Sequence, residues 1–308
     1  MIKTPTVLVL GAGASKPYGY PLGQELLEKI VALGGLATDV TTPAALANLF
    51  KCGFSHERIK DFAAALSQSG RQSVDAFLES RDDFLEVGRH AIANELLAFE
   101  KSQDIFKHND WYQYLFNRMC DSDLFESFGR SNLAVVTFNY DRSLEFYLFS
   151  ALRNSFQKTA GECAENFKAI PIIHVHGQLG PAPMGAGWPD YGAQITPDLI
   201  SFSASQIRII HEANDSTPEF RAAQGQLRSA ERICFLGFGY HPVNMRRLLK
   251  DIAVVEGKEI YCCGFDLTSK EKQSVNKHFQ ATRLSKLRWG NSDNGCLKFL
   301  REEGVLLD

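Results

Sequence analysis

The segment TFNYD at residues 137–141 places an amide and a carboxylate directly after a run of apolar residues. An amide here could hydrogen-bond a ribose hydroxyl or a water molecule, so Asn139 is a candidate catalytic residue. Asp141 is a candidate for the same site. The alternative is that either side chain only caps the helix that follows. We expect that Asp141 in part caps the following helix and that Asn139 binds a ligand.

Two histidines precede a glycine in the segment IPIIHVHGQLG. An imidazole titrates near pH ~6.5, which suits a general base at neutral pH. His174 and His176 alternate along a predicted strand, so we expect them on one face of it. The alternative for each is a purely structural role. Because no further cluster of Cys, His or acidic residues stands out nearby, the pair predicts no metal site.

A glycine-rich turn follows the first apolar run, in VLVLGAGASK at residues 7–16. Glycine lets the backbone approach a phosphate closely, and the helix that follows offers free N–H groups. The segment departs from the dinucleotide fingerprint G-x-G-x-x-G at Lys16, and it is not a P-loop. It therefore indicates a dinucleotide site or, alternatively, an ordinary strand-to-helix turn.

Two later segments carry related signals. In RICFLGFGYHP an apolar run enters the turn Gly237-Phe238-Gly239 before a helix, and we expect this turn to support the first one. In EIYCCGFDLTS an apolar run ends shortly before Asp266. That carboxylate either contacts an adenosine hydroxyl or caps the helix that begins near Thr268.

The elements that must position these residues are short apolar runs separated by helical patterns. The runs lie at 6–10, 133–137, 170–175, 233–238 and 259–264. Continuous apolar runs are typical of strands buried on both faces of a parallel sheet. The sequence thus predicts a doubly wound, Rossmann-like α/β fold with a mostly parallel sheet.

The gap between the first two runs is long and shows only helical patterns. We therefore expect residues 1–35 and 131–308 to form the α/β core, with 36–130 as a large helical insertion. The Gly- and Pro-rich stretch at 177–196 is predicted to be a loop, and it could cover a site.

The composition of the chain argues against several classes of binding partner. The chain has 308 residues and a net charge of −3 without a basic block, so we expect no direct nucleic-acid binding. Its seven cysteines contain no C-x-x-C pair, which argues against a zinc ribbon and a disulfide framework and suits the cytoplasm. No apolar run reaches the length of a membrane span, and the first one is interpreted as a strand rather than a signal peptide.

Taken in order, the segments resemble those of the sirtuin-like superfamily over most of the chain. The matching segments are GAGAS at 11–15, TFNYD at 137–141, HG at 176–177 and GFGY at 237–240. The resemblance implies that Asn139 and His176 form the catalytic pair with His176 as the base, and that Asp141 assists. The residues expected to contact the cofactor are Gly11, Ala12, Gly13, Ala14, Ser15, Gly237, Phe238, Gly239 and Asp266.

The segment SVDAFLE at 73–79 resembles the prokaryotic, defence-associated branch, and no C-x-x-C follows Gly177 as it does in protein-deacylating sirtuins. The resemblance implies an NAD⁺ glycohydrolase without a metal, which uses NAD as its substrate and depletes it in antiphage defence. It also implies a homo-oligomer, a regulatory defence partner such as an ATPase, or both. The alternatives are an NAD-dependent protein deacylase and a module that senses NAD or ADP-ribose without turnover.

Overall fold

A computed structural model describes residues 1–35, 42–106, 109–120, 124–181, 190–209, 217–250, 257–280 and 286–308 of the protein. In these residues a single parallel sheet is flanked by helices on both faces. The strands are β1 (Thr6–Leu10), β2 (Leu133–Thr137), β3 (Ile172–His174), β4 (Arg232–Leu236), β5 (Glu259–Cys262) and β6 (Lys286–Trp289).

The helices that precede β2 are α1 (Ala12–Ser15), α2 (Gly23–Gly34), α3 (Ala44–Lys51), α4 (His56–Gln68), α5 (Val74–Leu78), α6 (Leu85–Leu97), α7 (Ser102–Ile105) and α8 (Trp111–Met119). Those that follow it are α9 (Ser143–Phe156), α10 (Ala160–Phe167), α11 (Pro197–Gln206), α12 (Pro218–Ser229), α13 (Pro242–Leu248), α14 (Ser269–Gln280) and α15 (Cys296–Glu302). Short 3₁₀ turns occur at Lys16–Tyr18, Asp82–Phe84 and Phe125–Ser127.

The strands lie in the order β3-β2-β1-β4-β5-β6, and every neighbouring pair is parallel. The chain builds outward from β1 to β3 on one side and from β4 to β6 on the other. β1 and β4 are adjacent, so the order reverses between them, and open α/β sheets bind ligands outside the carboxyl ends of the strands at such a point. The predicted doubly wound, mostly parallel fold is confirmed.

Helices cover both faces of the central strands. Leu8 and Leu10 of β1 belong to the apolar cluster that includes α2, α4, α6, α8 and α9, whereas Val7 and Val9 belong to the cluster with α12, α13 and α14. All five residues of β1, β2 and β4 are buried. Burial on both faces is the reason why these strands are continuously apolar in sequence.

The long connection from β1 to β2 contains α1–α8 and, among its described residues, no strand. Helices α3–α8 lie within residues 36–130, and the division of the chain into a core and an insertion stays a prediction. Buried side chains of the insertion, such as Phe77 and Trp111, belong to the same cluster as Leu8 and Val135 of the sheet. The insertion therefore packs directly on the sheet.

Three strands end earlier than predicted. β4 ends at Leu236 rather than at residue 238, and β5 ends at Cys262 rather than at residue 264. β3 ends at His174, because the chain turns away before Gly177, which has a φ of +76°. The prediction of a strand through residue 175 is therefore wrong. β6 was not predicted.

In the described part of the chain, no helix is both long and apolar enough to cross a membrane.

Candidate active site

Two glycine turns meet at the point where the strand order reverses. The Gly13 N–H donates to the Gly237 carbonyl at 2.9 Å, and the Gly11 N–H donates to the Leu236 carbonyl at 3.1 Å. A Cβ atom at Gly11 would lie 2.6 Å from the Gly237 oxygen, and one at Gly237 would collide with the backbone of Ala14. Glycine is therefore required where the turns after β1 and β4 pass each other.

The same contacts use hydrogen-bond donors of the turn at residues 11–15, which the sequence indicates as a dinucleotide site. Besides the Gly13 N–H, the Ala14 N–H is bonded, to the Gly11 carbonyl at 2.9 Å. The Ser15 hydroxyl donates to the Asp141 carboxylate at 2.7 Å. Residues 11–15 thus lie together at the carboxyl edge of the sheet, but these three donors are used within the protein. Contact of this turn with a cofactor stays a prediction.

Asn139 joins the end of β2 to the turn after β1. Its backbone N–H donates to the Thr137 hydroxyl at 3.1 Å. Its side-chain Nδ2 donates to the Gly11 carbonyl and to the Ser15 hydroxyl, both at 3.0 Å. The residue is half-buried, so its side chain is fixed by the protein while part of it still reaches solvent.

Asp141 is buried at the centre of this network. Its carboxylate accepts from the Ser15 hydroxyl and from both the N–H (3.1 Å) and the hydroxyl of Ser143, the first residue of α9. Asp141 thus accepts the first N–H of α9, although the N-cap position itself is occupied by Arg142. Burial raises the pKa of Asp141, although the hydrogen bonds from Ser143 and Ser15 favour its ionised form.

His174, at the end of β3, is buried with both ring nitrogens bonded. Nδ1 donates to the Asn139 carbonyl at 2.8 Å, and Nε2 lies 2.6 Å from the Glu145 carboxylate of α9. Burial alone would lower the pKa of His174, but the Glu145 carboxylate and the two hydrogen bonds raise it above the ordinary value. His174 thereby fixes the backbone of Asn139.

His176 lies in the turn after β3, and its surroundings are aromatic. Its ring centroid is 5.5 Å from that of Phe138 and 6.1 Å from that of Phe220 on α12. Nδ1 is buried and has no hydrogen-bond partner. Burial lowers the pKa of His176, and the Arg247 guanidinium acts in the same direction.

The two histidines do not share a face, and that prediction is wrong. His174 faces α9 on one side of the sheet, whereas His176 packs with Phe138 and Phe220 in the cluster of the other side. The physical reason is that β3 ends at His174, so strand alternation no longer sets the direction of His176.

Helix α5 of the insertion brings two carboxylates to the His176 side. Asp75 accepts a hydrogen bond from the hydroxyl of Tyr140, whose ring lies 6.4 Å from that of His176. Glu79, one helical turn later, pairs with the fully buried Arg247 of α13 at 3.0 Å. The sequence analysis does not identify these two carboxylates as site residues. Their i, i+4 spacing is the signal in SVDAFLE that could place both on one face of a helix.

The remaining predicted residues lie further along the edge. Phe238 is buried, with its ring 4.9 Å from that of Phe138, so it is a packing residue, whereas Gly239 is exposed.

Asp266 is also exposed and does not cap α14, because Thr268 forms that cap with Glu271. It follows β5, three strand positions from β2, or roughly 14 Å at ~4.8 Å per strand. The structure therefore does not bring it to Asn139.

The predicted loop at 177–196 is described only at its two ends, since residues 182–189 lie outside the described residues. The buried guanidinium of Arg142 donates to the Pro181 carbonyl at 3.3 Å and to the Asp190 carbonyl at 3.1 Å. It also forms a two-pronged pair with Glu100, at 2.8 and 2.9 Å. The Arg142–Glu100 pair therefore holds Pro181 and Asp190 in place. Arg142 itself lies only two residues after Tyr140 in the chain.

Two cavities flank the site. One, of about 430 Å³, opens beside β3 and is lined by residues that include His174, Gly177 and Arg208. The other, of about 680 Å³, lies between α8 and α15. Neither is lined by Asn139 or His176. Within the described ranges, no three His, Cys, Asp or Glu side chains are grouped so that they could hold a metal ion.

Comparison of the sequence with protein-family models and with curated proteins finds no match.

Proposed function

We propose that the protein is an NAD⁺ glycohydrolase, which cleaves the bond between nicotinamide and ribose to give nicotinamide and ADP-ribose. The observation that carries the proposal is the buried imidazole of His176, whose Nδ1 has no hydrogen-bond partner. It lies beside the edge where the Gly11–Ser15 turn, Asn139 and Asp141 form one hydrogen-bond network. Unpartnered buried nitrogens are rare in proteins, and a functional role is one reason to keep one.

The chemistry asks for a neutral base and a fixed amide. Nicotinamide leaves as a neutral molecule, so the reaction needs no general acid, and its transition state resembles an oxocarbenium ion. In the proposed mechanism, Asn139 orients the nicotinamide ribose and the attacking water. His176 accepts a proton from that water or from a ribose hydroxyl. Its lowered pKa keeps the imidazole neutral, and therefore able to accept, at neutral pH.

A second candidate is a module that binds NAD or ADP-ribose without turnover. It is favoured by the internal bonds of Asn139, whose amide group donates to Gly11 and Ser15. It is also favoured by the burial of His176, which is only 7% exposed. Hydrolysis requires that substrate binding rearrange these contacts, whereas a sensor can keep them.

The resemblance to defence-associated relatives extends the proposal to physiology. In this proposal the enzyme depletes cellular NAD during phage infection and is restrained until it assembles into an oligomer or meets a partner protein, for example an ATPase. A cytoplasmic location follows from the substrate. The insertion and the loop at 177–196 are the surfaces that such control would use.

Incubation of the purified protein with NAD alone tests the proposal. Nicotinamide and ADP-ribose are quantified by chromatography over a series of protein concentrations, and binding of ADP-ribose is measured by calorimetry. A hydrolase releases nicotinamide without any acylated peptide, and a steep dependence on protein concentration indicates assembly. Binding without product supports the sensor. Product only with an acylated peptide identifies a deacylase and contradicts the proposal.

A further inference from the structure

A series of buried hydrogen bonds leads from helix α8 to Asn139. Tyr112, the second residue of α8, is fully buried, and its hydroxyl oxygen lies 2.7 Å from that of Ser143 at the start of α9. The Ser143 hydroxyl donates to the Asp141 carboxylate, whose other oxygen accepts from the Ser15 hydroxyl at 2.7 Å. The Ser15 oxygen accepts in turn from Nδ2 of Asn139 at 3.0 Å. Together these four bonds form the Tyr112 relay.

The donors of the relay have one consistent direction. An ionised carboxylate only accepts hydrogen bonds, so the Ser15 and Ser143 hydroxyls each give their single proton to Asp141. Ser143 then has only a lone pair left for its bond to α8, so the Tyr112 hydroxyl must be the donor there. Burial raises the pKa of Tyr112, so this hydroxyl keeps its proton. Both halves of the relay therefore run toward Asp141.

Contacts with the segment that follows β1 fix the start of α8. The Tyr112 N–H donates to the hydroxyl of Tyr18 at 3.0 Å, and the two rings stack with their centroids 3.7 Å apart. The preceding residue, Trp111, donates from Nε1 to the Ala14 carbonyl at 2.8 Å. Because α8 lies within residues 36–130, the relay connects this helical region to the residues that follow β2.

The relay also determines which atom Asn139 can present to a ligand. Its Nδ2 donates to the Gly11 carbonyl and to the Ser15 oxygen, both at 3.0 Å. A carbonyl oxygen can only accept, so the NH₂ group must point toward these two partners and Oδ1 away from them. Oδ1 is an acceptor, which suits a ribose hydroxyl or a water molecule as the donor. Rotation of the amide by half a turn would replace this acceptor with a donor.

We propose that Tyr112 is a positioning residue, which holds the Asn139 amide in this orientation from α8. Its donated proton sets the direction of the Ser143 hydroxyl, and the hydrogen bonds of a buried network strengthen one another. A shift of α8 therefore loosens the amide, so the helical region before β2 controls the candidate site. The effect on catalysis rests on the proposed function, whereas the orientation of the amide does not depend on it.

Hydrogen exchange of the Asn139 side-chain amide tests the positioning. It is measured by NMR on the full chain with isotope-labelled asparagine and without NAD, and Asn139→Ala identifies the signal by its loss. In the wild type we expect slower exchange than for the exposed Asn291. Tyr112→Phe should accelerate the exchange about fivefold, the factor that corresponds to one hydrogen bond. Tyr147→Phe is the matched control, because it removes a hydroxyl from a ring 5.4 Å from that of Tyr112 but breaks no bond of the relay.

A double-variant cycle tests whether Tyr112 acts through Ser143. Ser143→Ala breaks the relay at its next member, so Tyr112→Phe should add little to the effect of Ser143→Ala on the exchange rate. In NAD hydrolysis, Tyr112→Phe should lower kcat about fivefold with little change in KM, since Asn139 orients the reacting groups in the transition state. Tyr147→Phe should leave kcat unchanged. Thermal melts establish that each variant is folded, and if Tyr112→Phe does not fold, Ser143→Ala takes its place in the comparison with Tyr147→Phe.

Three results would overturn the proposal. The first is a wild-type Asn139 amide that exchanges as fast as that of Asn291, which depends on no variant. The second is an equal exchange rate in folded Tyr112→Phe and Tyr147→Phe, and the third is full additivity of Tyr112→Phe and Ser143→Ala. Absence of NAD hydrolysis by the wild type would refute the proposed function but leave the exchange results standing. Faster exchange in Tyr112→Phe with an unchanged kcat would refute only the effect on catalysis.

Discussion

His174 and His176 are separated by one residue, yet the structure treats them in opposite ways. His174 has a partner at each ring nitrogen, and its pKa is raised by Glu145 and the two hydrogen bonds. His176 is surrounded by aromatic rings, has an unpartnered Nδ1, and its pKa is lowered by burial. The surroundings thus favour the protonated form of His174 on one face of the sheet and the neutral form of His176 on the other.

The difference teaches where to look for function. A histidine bonded at both nitrogens contributes to the fold and has no nitrogen left for a substrate. A buried histidine with one unpartnered nitrogen gives up a hydrogen bond, which costs stability unless a ligand or a reaction uses that nitrogen. The two residues therefore predict opposite results when each is replaced.

The largest expected effect is on activity. His176→Gln should lower kcat for NAD hydrolysis by about 10²–10⁴-fold, because the general base is lost, while its melting temperature stays close to that of the wild type. His174→Gln should show the reverse, with a clear loss of stability and a smaller loss of kcat. Nicotinamide release and thermal melts of both variants measure this. A folded His176→Gln variant with wild-type kcat would remove the catalytic assignment.

Breaking the His174 pair from its other side should give the largest change in stability. Glu145→Ala removes the carboxylate that pairs with the buried His174 imidazole, so we expect a loss of about 3 kcal/mol in the free energy of unfolding at neutral pH. Urea denaturation measures it. Glu165→Ala is the matched control, because the Glu165 carboxylate is 75% exposed beside Lys168 and should change stability by less than about 0.5 kcal/mol. Equal effects of the two substitutions would contradict a buried ion pair.

The two histidines should change the pH dependence of the unfolding free energy in opposite directions. Because the pKa of His174 is raised above 6.5 in the folded protein, its stabilisation is complete below pH 6.5 and is lost as the pH rises through that raised pKa. For His176, with a lowered pKa, the folded state loses stability as the pH falls from 6.5 through the lowered value. Unfolding free energies between pH 5 and 8, measured for the wild type and both glutamine variants, check this. His176→Gln should flatten the acid side and His174→Gln the alkaline side; the opposite assignment would disprove it.

The smallest expected effect concerns the link from α5 to His176. Tyr140→Phe keeps the ring beside His176 but removes the hydroxyl that donates to Asp75. We expect a loss of about 1 kcal/mol in stability, the usual contribution of one hydrogen bond. Tyr114→Phe, at a half-buried tyrosine whose ring lies near Arg118, is the control. An unchanged stability of Tyr140→Phe would show that the Tyr140–Asp75 hydrogen bond does not help to hold α5 in place.

The fold could be predicted from sequence because burial on both faces makes β1, β2 and β4 continuously apolar. β6 could not be predicted from sequence, because it is an edge strand of only four residues whose exposure alternates. Its pattern, KLRW, carries too little apolar signal to distinguish it from a loop.

The positions of the candidate residues in the fold could be predicted from sequence, whereas their contacts could not. Asn139 and Asp141 could be placed at the carboxyl edge, since polar residues that follow a buried strand must lie there. The pairs Arg142–Glu100 and Arg247–Glu79 join residues far apart in sequence, so only the packing of the insertion on the sheet reveals them. The direction of His176 depended on where β3 stops, and strand ends are poorly encoded in local pattern.

The contacts of Arg142 with both Pro181 and Asp190 have a consequence for related sequences. Because one guanidinium donates to both carbonyls, the replacement of this single residue would release two distant points of the chain together. It would also leave the Glu100 carboxylate buried without its counter-ion, which is costly. We therefore expect an arginine at this position wherever Glu100 is kept.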